Sequence, residues 1–349
     1  MTFFIYTILK KRILVTGAAG AVGLETLKEL QRRGNKFEIV AFGKDKKEHR
    51  RILNNCCNGI TAYYGDIRDK QFIDKLATNI DFVIHLAAVI PPLADEFPQL
   101  TEEVNLGGTK NLISSLEEKS PNAFFLYTSS VAVYGDRLKT PIIKISDTLS
   151  PSFGDAYAGT KIKAEIEVRN SKLNWSIFRL TAIMSPKQKF DPLMFHMPLD
   201  TKMEICTTRD TAYALVQAIE KTDLLNKKTF NLGGGETCRI IFGDFLKTST
   251  KNSGLGESPF PENAFAKGNF HCSYYADSDE LNKILYFQRE SVEDYYKQFK
   301  KEIGPLKIAL AKIFRPFVVS YFLRKSEPLK AIKNNDWKMI ERFFPNGKP

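Results

Sequence analysis

The sequence predicts an α/β fold, a doubly wound parallel sheet with a smaller C-terminal lobe. Three observations predict it. Apolar runs of about five residues alternate with helical stretches through the first half of the chain. The first run, Ile13-Leu14-Val15, is continuously apolar, as in a parallel strand covered on both faces. It leads into Thr16-Gly17-x-x-Gly20-x-x-Gly23, a glycine-spaced turn that opens a helix.

Taken in order, residues 11–16 form the first strand. A helix follows over 21–33, with Val22, Leu27 and Leu30 inward and Gly34-Asn35 as its stop. Strands are expected at 37–42 and 60–64, a helix at 69–78, and a strand at 81–86. One long helix is expected at 101–118, a strand at 123–128, a helix at 155–173 and a strand at 175–179. Beyond about residue 185 the pattern loosens. Pro186, Pro192 and Pro198 mark a loop region, 210–220 reads as a short helix, and 229–232 as a strand ending in three glycines. Residues 240–248, 277–284 and 291–302 read as helices. Residues 1–185 are expected to be mainly dinucleotide-binding. Residues 186–303 form a substrate lobe interleaved with the sheet, and 304–349 a basic, apolar extension.

The turn has a chemical logic. Gly17 permits the sharp exit from the strand, Gly20 lets a pyrophosphate approach the backbone, and Gly23 lets helix pack on strand. The first helical N–H groups, at Ala21, Val22 and Gly23, and the positive end of the helix dipole face the phosphates. Downstream, Tyr157 and Lys161 are four apart and share one helix face. A free tyrosine, with a pKa of about 10, is a poor base at neutral pH. An ammonium beside it favours the phenolate, and a shift of three units takes about 4 kcal/mol. Tyr157 can then exchange the proton of a substrate hydroxyl while a nicotinamide takes or gives a hydride. Ser130, at the end of a strand, is placed to hold the substrate oxygen. His85 lies in an apolar strand and reads as a hydrogen-bonded core histidine, and Asn105 as a fastener of helix to strand.

Composition narrows the alternatives. Hydrophobic content of 43% and charged content of 26% suit a globular domain. The five cysteines form no C-x-x-C pair, and neither they nor the four histidines show metal-ligand spacing. Reduced thiols, a cytoplasmic chain and no metal are expected. The apolar start, residues 1–9, is too short to span a membrane and lacks signal-peptide features. It reads as an extra edge element or a leader. From residue 305 onward there are ten basic residues against three acidic ones. The net charge of +11 therefore belongs largely to the tail, and the main body is not expected to bind nucleic acid.

These motifs together resemble the extended short-chain dehydrogenase/reductase family, also called the NAD-dependent epimerase/dehydratase family, over roughly residues 11–300. Besides the glycine turn, they are Asp66-Ile67-Arg68, Asp81-x-x-x-His85-x-Ala87-Ala88 and Asn105-x-x-Gly108-Thr109. Further along stand Ser130-x-x-x-Tyr134-Gly135, Tyr157-x-x-x-Lys161, Arg209-Asp210 and Asn231-x-Gly233-Gly234-Gly235. The resemblance implies a Rossmann-type sheet, a catalytic set of Ser130, Tyr157 and Lys161, and a small-molecule substrate. It implies cofactor contacts at Thr16, Gly17, Gly20, Ala21, Val22, Gly23, Lys44, Asp66, Ile67, Leu86, Ala87, Ala88, Tyr157 and Lys161. NAD-binding members end the second strand in an acid. Here Lys44 stands where NADP-using relatives carry a base, so NADP is preferred, and Asp45 keeps NAD open. The relatives that epimerise nucleotide sugars carry an asparagine where this chain has Ala182, and Thr128-Ser129-Ser130 replaces the Thr-Asp-Glu of dehydratases. Dehydration is not expected. Epimerisation, alcohol/ketone reduction of dihydroflavonol-reductase or hydroxysteroid-dehydrogenase type, and a non-catalytic dinucleotide sensor stand as alternatives. For 304–349 the alternatives are an interfacial segment on an anionic membrane, a cap over the substrate lobe, or a homodimer contact.

Overall fold

The computed structural model describes residues 10–345 apart from 57, 188, 189 and 269. The apolar start and Cys57 lie outside the described residues. The first half runs β1 (Lys11–Thr16), α1 (Ala21–Arg32), β2 (Phe37–Lys44), α2 (Lys47–Cys56), β3 (Ile60–Gly65), α3 (Lys70–Leu76) and β4 (Phe82–His85). Short α4 (Leu93–Glu96) and α5 (Pro98–Glu102) precede α6 (Gly108–Lys119). Then come β5 (Phe124–Ser130), β6 (Ile142–Ile143), α7 (Ala156–Asn170) and β7 (Asn174–Leu180). The later elements are β8 (Ala182–Met184), β9 (Lys202–Thr207), α8 (Thr208–Gln217), α9 (Thr222–Leu225), β10 (Lys228–Leu232), β11 (Arg239–Ile241), α10 (Phe242–Asn252), β12 (Tyr274–Tyr275), α11 (Ser278–Leu285) and α12 (Val292–Ile303). The chain ends in α13 (Pro305–Ile313), α14 (Arg315–Leu323), α15 (Glu327–Asn334) and α16 (Trp337–Phe343).

Seven strands form one parallel sheet in the order β3-β2-β1-β4-β5-β7-β10. Its central strands are buried on both faces, which explains their unbroken apolar runs. Ile13 and Val15 pack with Leu27 and Leu30 of α1 and Leu215 of α8 on one face. Leu14 points the other way, among Ile73, Leu112, Leu116 and Val168 of α3, α6 and α7. A second core, built from Phe195, Met203, Ile205, Phe242, Phe245, Phe265 and Tyr295, lies under the smaller lobe, where β8, β9 and β11 form a three-stranded sheet.

Three expectations are corrected. The helix expected at 101–118 starts at Pro98 and is interrupted by a π-turn at Glu103–Gly107. Asn105 lies in that turn, and its side chain bonds the Val89 backbone instead of following a regular helix face. Between the strands expected at 37–42 and 60–64, where no element was expected, lies helix α2. Its signal was the apolar spacing Ile52-Leu53-Cys56 beneath a charged exterior. Residues 239–241 are a strand, not the start of a helix.

A methyl group at Gly23 would lie 2.4 Å from the Gly17 carbonyl oxygen. Gly23→Ala is therefore expected to lever α1 off the turn and cost about 1–3 kcal/mol in a denaturant titration. A variant as stable as the parent would mean that the helix start is free to shift.

Candidate active site

The C-terminal ends of the parallel strands share one edge, where ligands bind in open α/β sheets. At that edge Gly17 has φ +66°, and a side chain there would strike Ala87 N at 2.8 Å. The loop after β4 thus rests on the glycine turn. Gly20 caps α1 without a side chain, so the amides at the helix start have no side-chain acceptor, and the first turn holds no acid. A diphosphate fits this cradle in shape and charge.

Thr16 joins the turn to β4. Its hydroxyl oxygen accepts from the amides of Leu86 and Ala87, both at 3.1 Å. Its proton is then left for His85 Nδ1 at 2.7 Å. Thr109 donates to the Asn105 carbonyl at 2.6 Å, so it accepts from His85 Nε2 at 2.9 Å. This chain assigns the neutral Nε2–H tautomer. Burial, helped by Lys161, holds the imidazole at about 3, so it stays neutral at physiological pH. His85 is a strut of the core, not an acid or base. Asn105 holds Val89 through both amide atoms and reaches Thr160 of α7 at 3.1 Å.

Asp155 caps α7 by accepting from Ala158 N at 2.8 Å. The helix then presents Tyr157, Lys161 and Glu165 at successive i+4 positions. Burial pushes the Tyr157 phenol up to about 12, opposed by a hydrogen bond with Ser130. Burial brings Lys161 down to about 7, opposed by Glu165. Its ammonium donates to the Thr128 carbonyl at 2.7 Å and stands 5.8 Å from the Tyr157 ring centre. The direct Lys161–phenol interaction expected from spacing is absent here. Ser130, at the tip of β5, is the group that lowers the Tyr157 phenol against the effect of burial. Glu165 forms a fully buried bidentate pair with Arg179 of β7, at 2.9 and 2.8 Å. Arg179 also donates to Tyr134, which donates to Asn231 at 2.7 Å.

At the other end of the edge, exposed Lys44 finishes β2. Its field helps to hold Asp66 below the usual carboxylate range, although the main cause is a hydrogen bond from Arg68. Asp45 is paired with Arg50 at 2.7 Å. A side chain at Gly43 would meet Leu53 at 3.2 Å, so the strand end has little room for an acid. His49 Nδ1, in the first turn of α2, is buried without a hydrogen-bond partner. Ile67 was expected to contact cofactor. Its side chain is buried against Gly108, where an added methyl would lie 2.5 Å from it, which leaves its backbone for such a contact.

Beside Tyr157 lies a cavity of about 310 Å³. Its walls include Ile90, Pro91, Phe153, Ile183, Leu193 and Phe270. Three polar contacts stand at them: His271 with Asp155 at 3.3 Å, His196 with Glu327 behind the wall at 3.0 Å, and the Arg342–Asp95 ion pair at 3.3 Å. His196 and His271 are 75 positions apart in sequence and meet only through the fold. Arg342 and Phe343 of α16 complete the wall. Sequence reasoning singled out none of these six polar groups, since each comes from a different segment. Among the described residues, no group of three His, Cys, Asp or Glu is placed to hold a metal ion.

A family model described as the NAD dependent epimerase/dehydratase family matches residues 13–233. The UDP-glucose 4-epimerase of Halalkalibacterium halodurans is 33% identical over 157 residues, which cover 44% of this chain and 44% of that protein. The 3-beta-hydroxysteroid dehydrogenase of Mycolicibacterium neoaurum is 29% identical over 164 residues, covering 44% and 41%. The chain thus spans less than half the length of these curated relatives. The solved UDP-glucuronic acid 4-epimerase of Bacillus cereus, in complex with UDP-glucuronic acid and NAD, superposes with a TM-score of 0.65 at 20% identity. The match covers 83% of this chain and 99% of that one, and shows a shared fold.

Arg179→Met leaves the Glu165 carboxylate buried with Arg169 as its remaining cationic partner. The expected cost is about 3–5 kcal/mol by urea unfolding, and Arg179→Met with Glu165→Met together should recover most of it. Equal losses in the single and double variants would show that the pair is not coupled.

Proposed function

The chain belongs to the NAD-dependent epimerase/dehydratase family, and on that premise we propose that it is a nicotinamide-dependent oxidoreductase or epimerase. It moves a hydride to or from a hydroxyl- or keto-bearing carbon of a small molecule. The observation that carries this reading is the convergence at one sheet edge of Ser130 at the tip of β5, Tyr157 and Lys161 on one face of α7, and the glycine turn, beside a cavity that Tyr157 lines. Gly17, Gly20 and the amides of Ala21, Val22 and Gly23 would hold the pyrophosphate, with Leu86, Ala87 and Ala88 alongside. The bound cofactor supplies a hydride acceptor or donor and, when oxidised, a positive charge that favours the phenolate.

Tyr157 accepts the substrate hydroxyl proton as the carbon loses its hydride, and returns it in the reverse direction. Ser130 holds the substrate oxygen and keeps the phenol aligned. Lys161, largely desolvated and near neutrality, adds positive charge from beneath through the same helix face. In epimerisation the same two groups serve twice, with the keto intermediate turning between the two transfers. Nucleotide-linked sugars are the first substrate class, since the curated relatives at 33% identity include epimerases named for them. A second class is a more apolar alcohol or ketone. It is favoured by the aromatic and aliphatic cavity wall and by Ala182, a small apolar residue at the start of β8.

The preferred cofactor is NADP. Lys44 is a free-standing cation at the end of β2, Gly43 leaves little room for a ribose-binding acid, and His49 offers an unpartnered ring nitrogen nearby. Lys44→Glu is expected to weaken NADP relative to NAD by about tenfold or more, as loss of a charge-assisted bond would, read by fluorescence titration. An unchanged ratio would assign the selectivity elsewhere.

Tyr157→Phe should lower turnover by about 10²–10⁴ while leaving cofactor affinity within about twofold. The assay is NADPH oxidation or NADP reduction against a panel of nucleotide sugars and apolar alcohols. Full turnover by the variant would take Tyr157 out of the chemistry, and a parent with no turnover on any member of the panel would place the chain among non-catalytic dinucleotide binders.

A further inference from the structure

Helices α13 and α14 carry two stripes on opposite sides. The inner stripe is anchored. Val319, Phe322 and Leu323 pack on the core of the smaller lobe, with the Phe322 ring 6.1 Å from Phe190 and 6.2 Å from Phe260. Just past α14, Ser326 donates to the Ala264 carbonyl at 2.8 Å. The outer stripe is Leu306, Leu310, Ile313, Phe314, Phe317 and Tyr321. Spacings of three and four residues set it along one side of both helices. It is open to solvent: Leu306 is 72%, Ile313 69% and Phe317 74% exposed.

We propose that this outer stripe seats the protein on an anionic membrane surface. Lys307, Lys312 and Arg315 stand on these helices, Arg324 and Lys325 follow α14 directly, and no acidic residue occurs between 304 and 326. An apolar stripe whose own segment carries only basic charges matches an interfacial helix whose side chains enter the acyl boundary while its cations meet lipid phosphates. A protein partner is the poorer fit, because lysine is depleted at the centre of protein interfaces. The packing of Val319, Phe322 and Leu323 on the core prevents α14 from rolling over to bury Phe317 and Tyr321. Neither helix is long enough to span a bilayer, at nine residues each, so the contact lies in the membrane plane.

The test is flotation of the full-length chain with vesicles of equal parts phosphatidylglycerol and phosphatidylcholine, and with phosphatidylcholine alone. The parent should float with the anionic vesicles and stay behind with the neutral ones. Lys307→Gln, Lys312→Gln and Lys325→Gln together should lower the partition coefficient by ~100-fold, since each cation near an anionic leaflet contributes about fivefold. Ile313→Ser, Phe314→Ser and Phe317→Ser should abolish flotation. None of these residues lines the cavity, so melting temperature and cofactor affinity should be unchanged and report that the variants are folded. Three results would overturn the proposal: equal flotation with neutral vesicles, serine variants that float like the parent, or a parent that stays behind. If the parent also sediments as a dimer that the serine variants dissociate, the stripe belongs to a second copy.

Discussion

The buried pair of Glu165 and Arg179 is the constraint on which the active edge depends. It ties α7, which carries Tyr157 and Lys161, to β7 in the sheet beside it. Two ions taken out of water cost several kcal/mol each unless their geometry is good and their remaining hydrogen bonds are made. Here both guanidinium–carboxylate bonds are short, and Tyr134, Asn231 and Asp277 continue the chain of donors and acceptors. The pair therefore sets the height and rotation of the helix that carries Tyr157 and Lys161. Glu165 also supports the charge on Lys161 one turn earlier. One carboxylate thus serves architecture and electrostatics together.

A second network governs the cofactor side. Thr16, His85, Thr109 and Asn105 form a directional relay that links β1, β4, the π-turn and α7. The π-turn has a physical reason in this setting. It displaces Asn105 from regular helical register and lets its amide bind both backbone atoms of Val89. The loop that rests on Gly17 is fixed from both ends by this arrangement. The glycine cradle and the catalytic helix are consequently parts of one hydrogen-bonded body.

Much of this was legible in the sequence, for reasons that differ between residues. Gly17, Gly20 and Gly23 act through local backbone geometry, so their spacing alone carries the meaning. Tyr157 and Lys161 share a face because any helix makes them do so. The cavity wall was illegible because His196, His271, Asp95 and Arg342 converge from distant segments, and no periodicity records that convergence. Helix α2 was hidden by its charge, since Leu53 is the one buried residue among its ten. Lys161 shows the limit of spacing: four residues of separation placed it beneath Tyr157, but a carbonyl of β5 took its proton donors.

The cavity wall formed by α16 orders events during synthesis. Phe343 and Arg342 leave the ribosome long after the parallel sheet has all its strands. Until then the pocket beside Tyr157 lacks the wall that Arg342 and Phe343 supply. A chain that has completed its sheet and its glycine turn has therefore not yet completed this pocket. Closure awaits the docking of Ile340, Phe343 and Phe344 against Ala266 and Ala331. Ribosomal arrest before α16 would trap that open form.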